Sequence, residues 1–446
     1  MKNKSRDVSR REFMTIAGAE VVAVGLGPAF LFPERAAAQQ KTLTIAQWRH
    51  FVPGYDKWFD DVFAKPWGQK HNTRVIVDHM AIEEINASAA KEAAARQGHD
   101  LFLFLAPPAG YEKQVIDHAE IYQEVEKKHG KAIPLAHRST LNPKTKKYFA
   151  FSDSYAPDPG NCHKGWWAEA GYPNGPDTWD ELRIGARKIR ERTGHPCGLG
   201  LSQEVDSDMA LRALLWSFGG AEQDERGSVT INSKATVDAV KYMRALFQES
   251  QTREVFTWST PSASQSTLAG RTSYAIHPIS ITRQAERERL PIGGRLAIQP
   301  ALQGPAKRIA PAHVTDCYAI WNFARNKEGA KQFLVDYMDS FGEAFQASEF
   351  YNFPCFPSTV PNLARQLSHD DKADPPDKYK VLANASDWTT NIGYPGYANA
   401  ATEEVLNTFV VPTMFAQAAR DEMTPEAAVA AAEKEIKRIF DKWKTL

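Results

Sequence analysis

Residues 101–105 read LFLFL, a segment that is apolar at every position. A strand with no polar face must be buried on both sides, which is typical of parallel sheets covered by helices. The preceding segments predict strands at 43–47 and 74–79 and helices at 55–70 and 82–96. The sequence therefore predicts an α/β fold that opens as βαβαβ.

The loops after the predicted strands are the first candidates for a ligand site. Parallel sheets of this kind bind ligands beyond the carboxyl ends of their strands. In this chain those ends lead into residues 48–53, 79–83 and 106–111. Trp48 and His50 lie in the first of these loops, so we expect them to face a ligand. The alternative for Trp48 is a ring that folds onto the first helix.

The segment from 148 to 189 predicts a connection between two lobes. Residues 148–155 read as a short strand of aromatic and small residues, which ends at the prolines that follow. Thr178 then precedes Glu181 by three positions, the spacing of a capping box that starts a helix. A strand followed at once by a new helix start indicates that the chain leaves one compact unit and begins another.

The rest of the chain continues with alternating elements. Asp206 or Ser207 is expected to cap a helix that carries Leu211 and Leu214. Residues 221–232 are rich in turn-forming residues and predict a hairpin. The other predicted elements are strands at 198–201 and 272–276, helices at 234–248 and 327–338, and a final helix that starts after Thr424.

Charge and composition exclude several classes of protein. The formal net charge is zero, which argues against a partner held by phosphate neutralisation, such as a nucleic acid. No apolar stretch after residue 40 approaches the roughly 20 residues that span a bilayer. The cysteines form no metal-binding spacing and leave disulfide pairing open: they are Cys162, Cys197, Cys317 and Cys355.

The first 38 residues predict an export signal. Arg10 and Arg11 are followed by Phe13, the arrangement of the twin-arginine motif. An apolar stretch and three alanines at 36–38 complete the pattern of a cleaved signal peptide. We therefore expect export by the twin-arginine translocon into a periplasm, with a mature chain that begins near Gln39.

A search for catalytic patterns gives no enzyme signature. The chain has no GxSxG, HExxH, Walker A or strand-linked GxGxxG motif. The paired carboxylates at 83–84 and at 206 and 208 would suit a glycosidase, but near helix starts they more simply favour the helix dipole. The sequence predicts a protein that is not an enzyme and that holds no metal or cofactor.

Five segments carry a resemblance to a known family. AGYPNGPDTWDEL at 170–182 resembles the signature of the family 1 extracellular solute-binding proteins, the receptors of ABC importers. The other matching segments follow in the family's order and are residues 217–246, 268–276, 318–338 and 424–436.

The resemblance implies a fold and a function. The fold is periplasmic-binding-protein-like, with two α/β lobes, 42–152 plus 312–345 and 153–311 plus 346–446, joined by three hinge crossings. The function is capture of a sugar or polyol and its delivery to an ABC permease by a protein that is monomeric. A polysaccharide-acting hydrolase or lyase and a receptor for a cationic solute such as a polyamine remain alternatives.

The resemblance also places ligand contacts. The crossing carboxylate of the family falls on Asp153, a stacking ring on Phe104 and a polar contact near Ser207. Met209 and Ser280 stand where maltodextrin-binding members have aromatic rings, so a maltodextrin pocket is not expected. The other candidate ligand-binding residues are polar or aromatic residues after strands and in loops: Asp206, His277, Asp316, Trp388, Tyr394 and Tyr397.

Overall fold

The computed structural model describes residues 40–445, so the predicted signal peptide lies outside the described residues. Strands of the described chain are β1 Lys41–Trp48, β2 Thr73–Met80, β3 Leu101–Phe104, β4 Phe151–Pro157, β5 Gly160–His163, β6 Tyr274–Ile276, β7 Leu296–Gln299, β8 Ala310–Ile320, β9 Phe353–Pro354 and β10 Thr389–Thr390.

Helices alternate with these strands and cover the sheets. The α-helices are α1 Pro53–Lys57, α2 Lys65–Lys70, α3 Ile85–Ala95, α4 Ala119–His129, α5 Pro134–Thr140, α6 Lys164–Glu169, α7 Trp179–Thr193, α8 Val205–Ser217, α9 Lys234–Ser250, α10 Ser262–Leu268, α11 Ser280–Arg287, α12 Lys327–Asp339, α13 Phe341–Ala347, α14 Leu363–Ser368, α15 Ala400–Asn407, α16 Val410–Ala419 and α17 Pro425–Thr445. A π-helical turn, Trp58–Ala64, joins α1 to α2. Among the described residues, no helix is long and apolar enough to span a bilayer.

The larger sheet has the strand order β2-β1-β3-β8-β4-β9, and β10 pairs with β8. β1 runs parallel to β2 and β3, as the opening βαβαβ pattern predicts. β8 then returns antiparallel between β3 and β4. Every residue of β3 is buried, which agrees with the burial inferred from its continuous apolar sequence. The mixed α/β fold expected from the sequence is confirmed.

The smaller sheet has the order β6-β5-β7, with β5 antiparallel to both neighbours. β5 follows β4 after two residues, so one continuous segment contributes to both sheets. β4, which contains most of the crossing expected at 148–155, lies between β8 and β9. The division of the chain into two lobes stays a prediction.

Residues 198–201 form no strand, contrary to the sequence-based expectation. The segment is buried and extended, but its backbone bonds go to different elements: the Gly198 N–H donates to the Tyr274 carbonyl at 2.8 Å and the Leu201 N–H to the Val255 carbonyl at 2.9 Å. Apolar burial gave this segment its strand-like pattern, and the repeated ladder that defines a strand does not form. Residues 221–232 contain a turn and a single Gln223–Val229 bridge instead of two strands.

The predicted helix starts are partly confirmed. Thr178 caps α7 by accepting from the Glu181 N–H at 3.1 Å. The Glu181 carboxylate, however, accepts from the N–H of Asp177, one residue earlier than the capping box requires, at 2.7 Å. The α8 cap is Glu204, so the expectation of Asp206 or Ser207 at that position is wrong. The four cysteines are free and buried.

Candidate functional site

The start of α8 places one carboxylate in the site. Glu204 is the cap, and its side chain accepts from the backbone N–H of Asp206 at 2.7 Å and of Ser207 at 2.6 Å. Because the longer Glu204 side chain satisfies the first-turn donors, Asp206 is not needed as a cap. Its carboxylate turns instead toward two histidines from other elements.

Asp206 belongs to a buried row of alternating acids and imidazoles. Its Oδ2 lies 3.3 Å from His277 Nε2, and its Oδ1 lies 3.4 Å from His313 Nε2. His313 Nδ1 lies 3.3 Å from Asp158 Oδ1. His277 follows β6, His313 lies in β8 and Asp158 lies between β4 and β5. The larger sheet, the smaller sheet and α8 therefore meet at this row of side chains.

The electrostatics of this row of side chains favour ionised groups. Burial disfavours charge on His313, but Asp158 and Asp206 outweigh burial and raise the pKa of His313 to about 10. Burial also disfavours the Asp206 carboxylate, yet His277 and His313 hold its pKa well below the ordinary value. Asp206 and His313 are therefore a carboxylate and an imidazolium at neutral pH.

A second pair of carboxylates lies on β4 and β8 and has no cationic neighbour of this kind. The Ser154 Oγ is 2.8 Å from Asp316 Oδ2 and 3.2 Å from Asp153 Oδ2. Burial raises the pKa of Asp153 to about 7. Burial, and then the neighbouring Asp153, raise the pKa of Asp316 well above its ordinary value.

Aromatic rings border the acids. The Trp48 and His50 ring centroids are 4.7 Å apart, and Phe51 and Tyr351 meet edge to face at 4.4 Å. His50 packs on Tyr351 at 5.4 Å, which joins the four rings into one group. Tyr351 lies two residues before β9, which pairs with β4 beside Asp153. Burial, followed by Asp316, Asp158 and Asp206, raises the pKa of its hydroxyl well above the ordinary value. We name the whole set the acid–aromatic cluster: Trp48, His50, Phe51, Asp153, Asp158, Asp206, His277, His313, Asp316 and Tyr351.

Many acceptors of this cluster are unsatisfied. Within residues 40–445, six buried carboxylate oxygens make no close hydrogen bond: Asp153 Oδ1, both oxygens of Asp158, both oxygens of Asp206, and Asp316 Oδ1. Three of them, Asp158 Oδ1 and both Asp206 oxygens, face a histidine ring nitrogen at 3.3–3.4 Å, and the other three face no such nitrogen. Buried polar atoms are ordinarily paired, and each exception calls for an explanation. Six in one cluster indicate a site that accepts hydrogen bonds from a bound molecule.

The cluster does not form a metal site. The described part of the chain contains no group of three or more His, Cys, Asp or Glu side chains arranged to hold an ion. Instead, the acids and imidazoles contact one another in the spatial order Asp158, His313, Asp206, His277. What the arrangement offers chemically is a set of hydrogen-bond acceptors beside flat apolar rings.

Part of the sequence, and the fold as a whole, resemble known proteins. Residues 130–339 match the model of the bacterial extracellular solute-binding proteins. The matched segment, which is just under half of the chain, resembles this family. A segment of 174 residues is 25% identical to a binding protein of Brucella abortus (strain 2308), and the match spans 39% of this chain and 42% of that protein's length.

Solved solute-binding proteins share the fold over nearly their whole length. Maltose-bound MalE3 of T. maritima is 19% identical, with a TM-score of 0.72 over 89% of this chain and 99% of that one. A tagatose-bound ABC transporter solute-binding protein of Thermotoga lettingae TMO is 16% identical, with a TM-score of 0.72 over 90% and 100%. A ribitol complex from Agrobacterium radiobacter K84 is 16% identical, with a TM-score of 0.70 over 90% and 98%. At such identities the likeness shows the fold.

Six of the residues predicted from the sequence come together in the structure. They are Trp48, His50, Asp153, Asp206, His277 and Asp316, and all are buried in the acid–aromatic cluster. Burial lowers the pKa of His50 to about 3, and its ring nitrogens contact Asn352 Oδ1 at 3.2 Å and the Val52 N–H at 3.0 Å. His50 is therefore a neutral, oriented ring.

The other predicted residues lie elsewhere. Phe104 packs among the rings of Phe102, Tyr111 and Trp321, at 4.8–6.1 Å between centroids. Ser207 is hydrogen bonded to its cap, Glu204. Their assignment as ligand contacts stays a prediction.

Three predicted residues lie in the loop before α15. The Trp388 carbonyl accepts from the Ala310 N–H at 2.8 Å and so joins the loop to β8. Tyr394 packs on Trp216 at 5.4 Å and contacts Lys307. Tyr397 lines an open groove of about 470 Å³, together with Glu126, Lys131, Ala132, Pro134, His137, Arg138, Leu141 and Tyr148.

The sequence reasoning missed four members of the cluster: Phe51, Asp158, His313 and Tyr351. Phe51 lies within a loop that was a candidate, and Asp158 lies between two prolines just after the predicted crossing strand. Both positions could have been singled out by the rule that ligands lie near strand ends and crossings. His313 and Tyr351 carry no local signal, because they reach the cluster only through the pairing of β8 and β9 with β4.

Proposed function

We propose that this protein captures a sugar or polyol in a periplasm and delivers it to the permease of an ABC transporter. The similarity of residues 130–339 to the bacterial extracellular solute-binding proteins, and the fold the chain shares with sugar- and polyol-bound solute-binding proteins, support this proposal. The binding site is the acid–aromatic cluster. Export through the twin-arginine translocon and a monomeric state are part of the same proposal.

The unsatisfied acceptors carry the proposal. Six buried carboxylate oxygens lie beside four aromatic rings in one cluster. A polyhydroxylated ligand donates one hydrogen bond from each hydroxyl and presents C–H faces that pack on rings. Bonds to charged acceptors contribute about 1.5–3 kcal/mol each, so a few suffice for specific capture.

The proposal includes a two-lobed clamp. We assign residues 42–152 plus 312–345 to one lobe and 153–311 plus 346–446 to the other. The cluster draws on both: Trp48, His50 and His313 belong to the first and Asp206, His277 and Tyr351 to the second. Because both sets must meet to form the cluster, ligand capture would favour lobe closure by a hinge motion.

Catalysis is the weaker alternative. A hydrolase needs one carboxylic acid and one carboxylate placed on either side of the scissile bond. Asp206 is instead ion-paired with His277 and His313, and Asp153 and Asp316 share the hydroxyl of one serine. The proposed protein binds its ligand and releases it unchanged.

A thermal-shift screen of neutral sugars, polyols and amines tests the proposed function. A true ligand raises the melting temperature by mass action, and the ligand recovered afterwards is chemically unaltered. Release of a reducing sugar from an oligosaccharide would show an enzyme. A shift produced by polyamines alone would replace the sugar assignment with the cationic-solute alternative.

A further inference from the structure

The two halves of the acid–aromatic cluster differ in charge balance. Asp158 and Asp206 each have a histidine ring nitrogen within 3.4 Å. Within residues 40–445, the hydrogen-bonding neighbour of both Asp153 and Asp316 is the Ser154 hydroxyl. A serine hydroxyl has one proton to donate, so it can satisfy only one of the two carboxylates at a time.

The arrangement at Asp153 and Asp316 is unfavourable without a further donor. Both side chains are buried, with 1% and 4% of their surface exposed, and each has an Oδ1 that lacks a donor among the described residues. Two carboxylates that share one site cannot easily ionise together. The hydroxyls of Tyr55 and Tyr337 pair at 2.9 Å, which uses one of their two protons, and the Tyr337 hydroxyl also favours the charged form of Asp153. Asp316 Oδ1 still lacks a donor among the described residues.

We propose that the ligand of this site carries one protonated amino group, which binds between Asp153 and Asp316, and that the ligand is an amino sugar or amino polyol. This inference rests on the proposed function and narrows its ligand class. A neutral hydroxyl would supply one donor and no charge, whereas an ammonium group supplies three donors and a positive charge. Three donors match the two free Oδ1 atoms and the oxygen that Ser154 leaves unsatisfied.

The rest of the cluster suits the remainder of such a ligand. The carboxylates of Asp158 and Asp206 are already opposed by imidazoles, so they are suited to accept from neutral hydroxyls. The Trp48 and Tyr351 rings, 6.3 Å apart, offer apolar faces for a sugar ring or carbon chain. One uncompensated acid pair calls for one amino group, which distinguishes this ligand from a polyamine.

Isothermal titration calorimetry on matched ligand series tests the assignment. The series are D-glucose, D-glucosamine and N-acetyl-D-glucosamine, the corresponding galactose and mannose compounds, and sorbitol beside 1-amino-1-deoxysorbitol, with spermidine as a separate cation. We expect at least one amine to bind tenfold or more tightly than both its neutral and its acetylated counterparts. The hydroxyl counterpart keeps the size and removes the charge, and the acetylated counterpart keeps the nitrogen and removes the charge, so the two controls together isolate the ammonium group.

Substitutions locate the effect. Asp153→Asn and Asp316→Asn should each reduce the ratio between amine and neutral affinities toward one, because each removes one of the two charges. Asp371→Asn, on a residue whose side chain is 93% exposed and paired with His369, is the matched control and should leave the ratio unchanged. Melting curves of the unliganded variants show whether each is folded.

The outcomes separate this inference from the proposed function. Neutral sugars or polyols that bind as tightly as their amines would overturn the amino assignment and leave carbohydrate capture intact. An unchanged amine preference in both asparagine variants would also overturn it. A panel with no binder, or with spermidine as its only binder, would overturn both proposals.

Discussion

Helix α8 carries two buried acids, Asp206 and Asp208, whose surroundings differ. Asp208 faces inward with Arg212, whose Nε lies 3.5 Å from Asp208 Oδ1 and whose Nη1 contacts Glu222. The Trp216 indole N–H donates to the other Glu222 oxygen at 2.9 Å. Asp206, two residues earlier, faces the acid–aromatic cluster, where acids outnumber the paired histidines.

The difference separates scaffold from site. Arg212 opposes two carboxylates with a guanidinium that cannot lose its proton, and the group joins the α8 helix to Glu222 in the loop that follows. Both Asp208 oxygens lack a close hydrogen bond, as do six carboxylate oxygens of the acid–aromatic cluster, so the difference lies in the charge of the neighbours. Asp208 lies beside a permanently charged guanidinium, whereas Asp153 and Asp316 lie beside the neutral Ser154 hydroxyl. Buried charge that is opposed by a fixed cation stabilises a fold, whereas buried acids beside a neutral donor are suited to receive a cationic ligand group.

The largest expected effect comes from removal of the scaffold cation. Arg212→Met should lower the free energy of unfolding by about 3–5 kcal/mol, because it leaves Asp208 and Glu222 buried without the cation that opposes them. Urea denaturation followed by circular dichroism measures the change. Lys234→Met is the matched control, since the Lys234–Asp238 pair is exposed and should contribute less than about 1 kcal/mol. Equal losses in the two variants would contradict the scaffold role of Arg212.

A substitution in the acid–aromatic cluster should instead raise the free energy of unfolding. Asp153→Asn should raise the free energy of unfolding near pH 7.5, by about 1–3 kcal/mol, because it removes an unsatisfied buried acceptor and a like charge beside Asp316. The pKa of Asp153 is raised to about 7, so the native state holds this proton more tightly than the unfolded chain does. Stability from this group is therefore fully present below about pH 4 and lost as pH rises toward 7.

The pH profile provides the control for that prediction. The variant should lose the downward slope between about pH 4 and 7 that Asp153 contributes, because asparagine does not titrate in this range. Urea midpoints of the wild type and the variant at pH 5 and pH 7.5 measure it. Parallel profiles, or a less stable variant at pH 7.5, would show that Asp153 is satisfied in the native protein.

The aromatic side of the site should affect binding more than folding. Trp48→Ala should weaken ligand binding about tenfold, since loss of a stacked ring costs roughly 1 kcal/mol beyond its area. Calorimetry with the ligand identified by the thermal-shift screen measures it. Phe104→Leu is the comparison variant, because Phe104 packs among other rings and should alter stability before affinity. If Trp48→Ala unfolds the protein, or if it leaves affinity unchanged, Trp48 is a core residue.

Features that depend on residues close together in the sequence could be predicted, whereas contacts between distant residues could not. The apolar run at β3 and the cap at Thr178 are local, and the structure confirms both. The family resemblance placed Asp153, and Asp206 was a candidate as an acidic residue at a helix start; their roles as ligand contacts stay predictions. The Asp206–His313 contact joins residues that are 107 positions apart (313 − 206), and no local pattern encodes it.

The helix cap at Glu204 shows where a local rule failed. Short side chains are the usual caps, so Asp206 and Ser207 were the natural expectation. In the folded chain the longer Glu204 side chain reaches both first-turn donors, and Asp206 turns to the histidines. That preference depends on His277 and His313, which come from distant strands, and so a sequence pattern could not predict it.

The smallest expected effect concerns a partly exposed ion pair around His99, at the edge of the larger sheet. His99 donates from Nδ1 to Glu92 Oε1 at 2.5 Å and from Nε2 to Asp78 Oδ2 at 2.9 Å. Burial disfavours the charged ring, but these carboxylates outweigh it and raise the pKa of His99. The stabilisation is thus fully present below about pH 6.5, the ordinary value, and is lost as pH rises through the folded pKa.

His99→Gln removes this titration and keeps a side chain that can hydrogen bond. Because Asp78 is 61% exposed, solvent screens the pair, and we expect it to contribute less than about 1 kcal/mol. The measurement is the free energy of unfolding in urea at pH 6 and pH 9, for both proteins, at low and high salt. The wild type should lose more stability than the variant between these pH values, and salt should reduce the difference. A difference as large as that of Arg212→Met would place His99 with the buried scaffold charges instead.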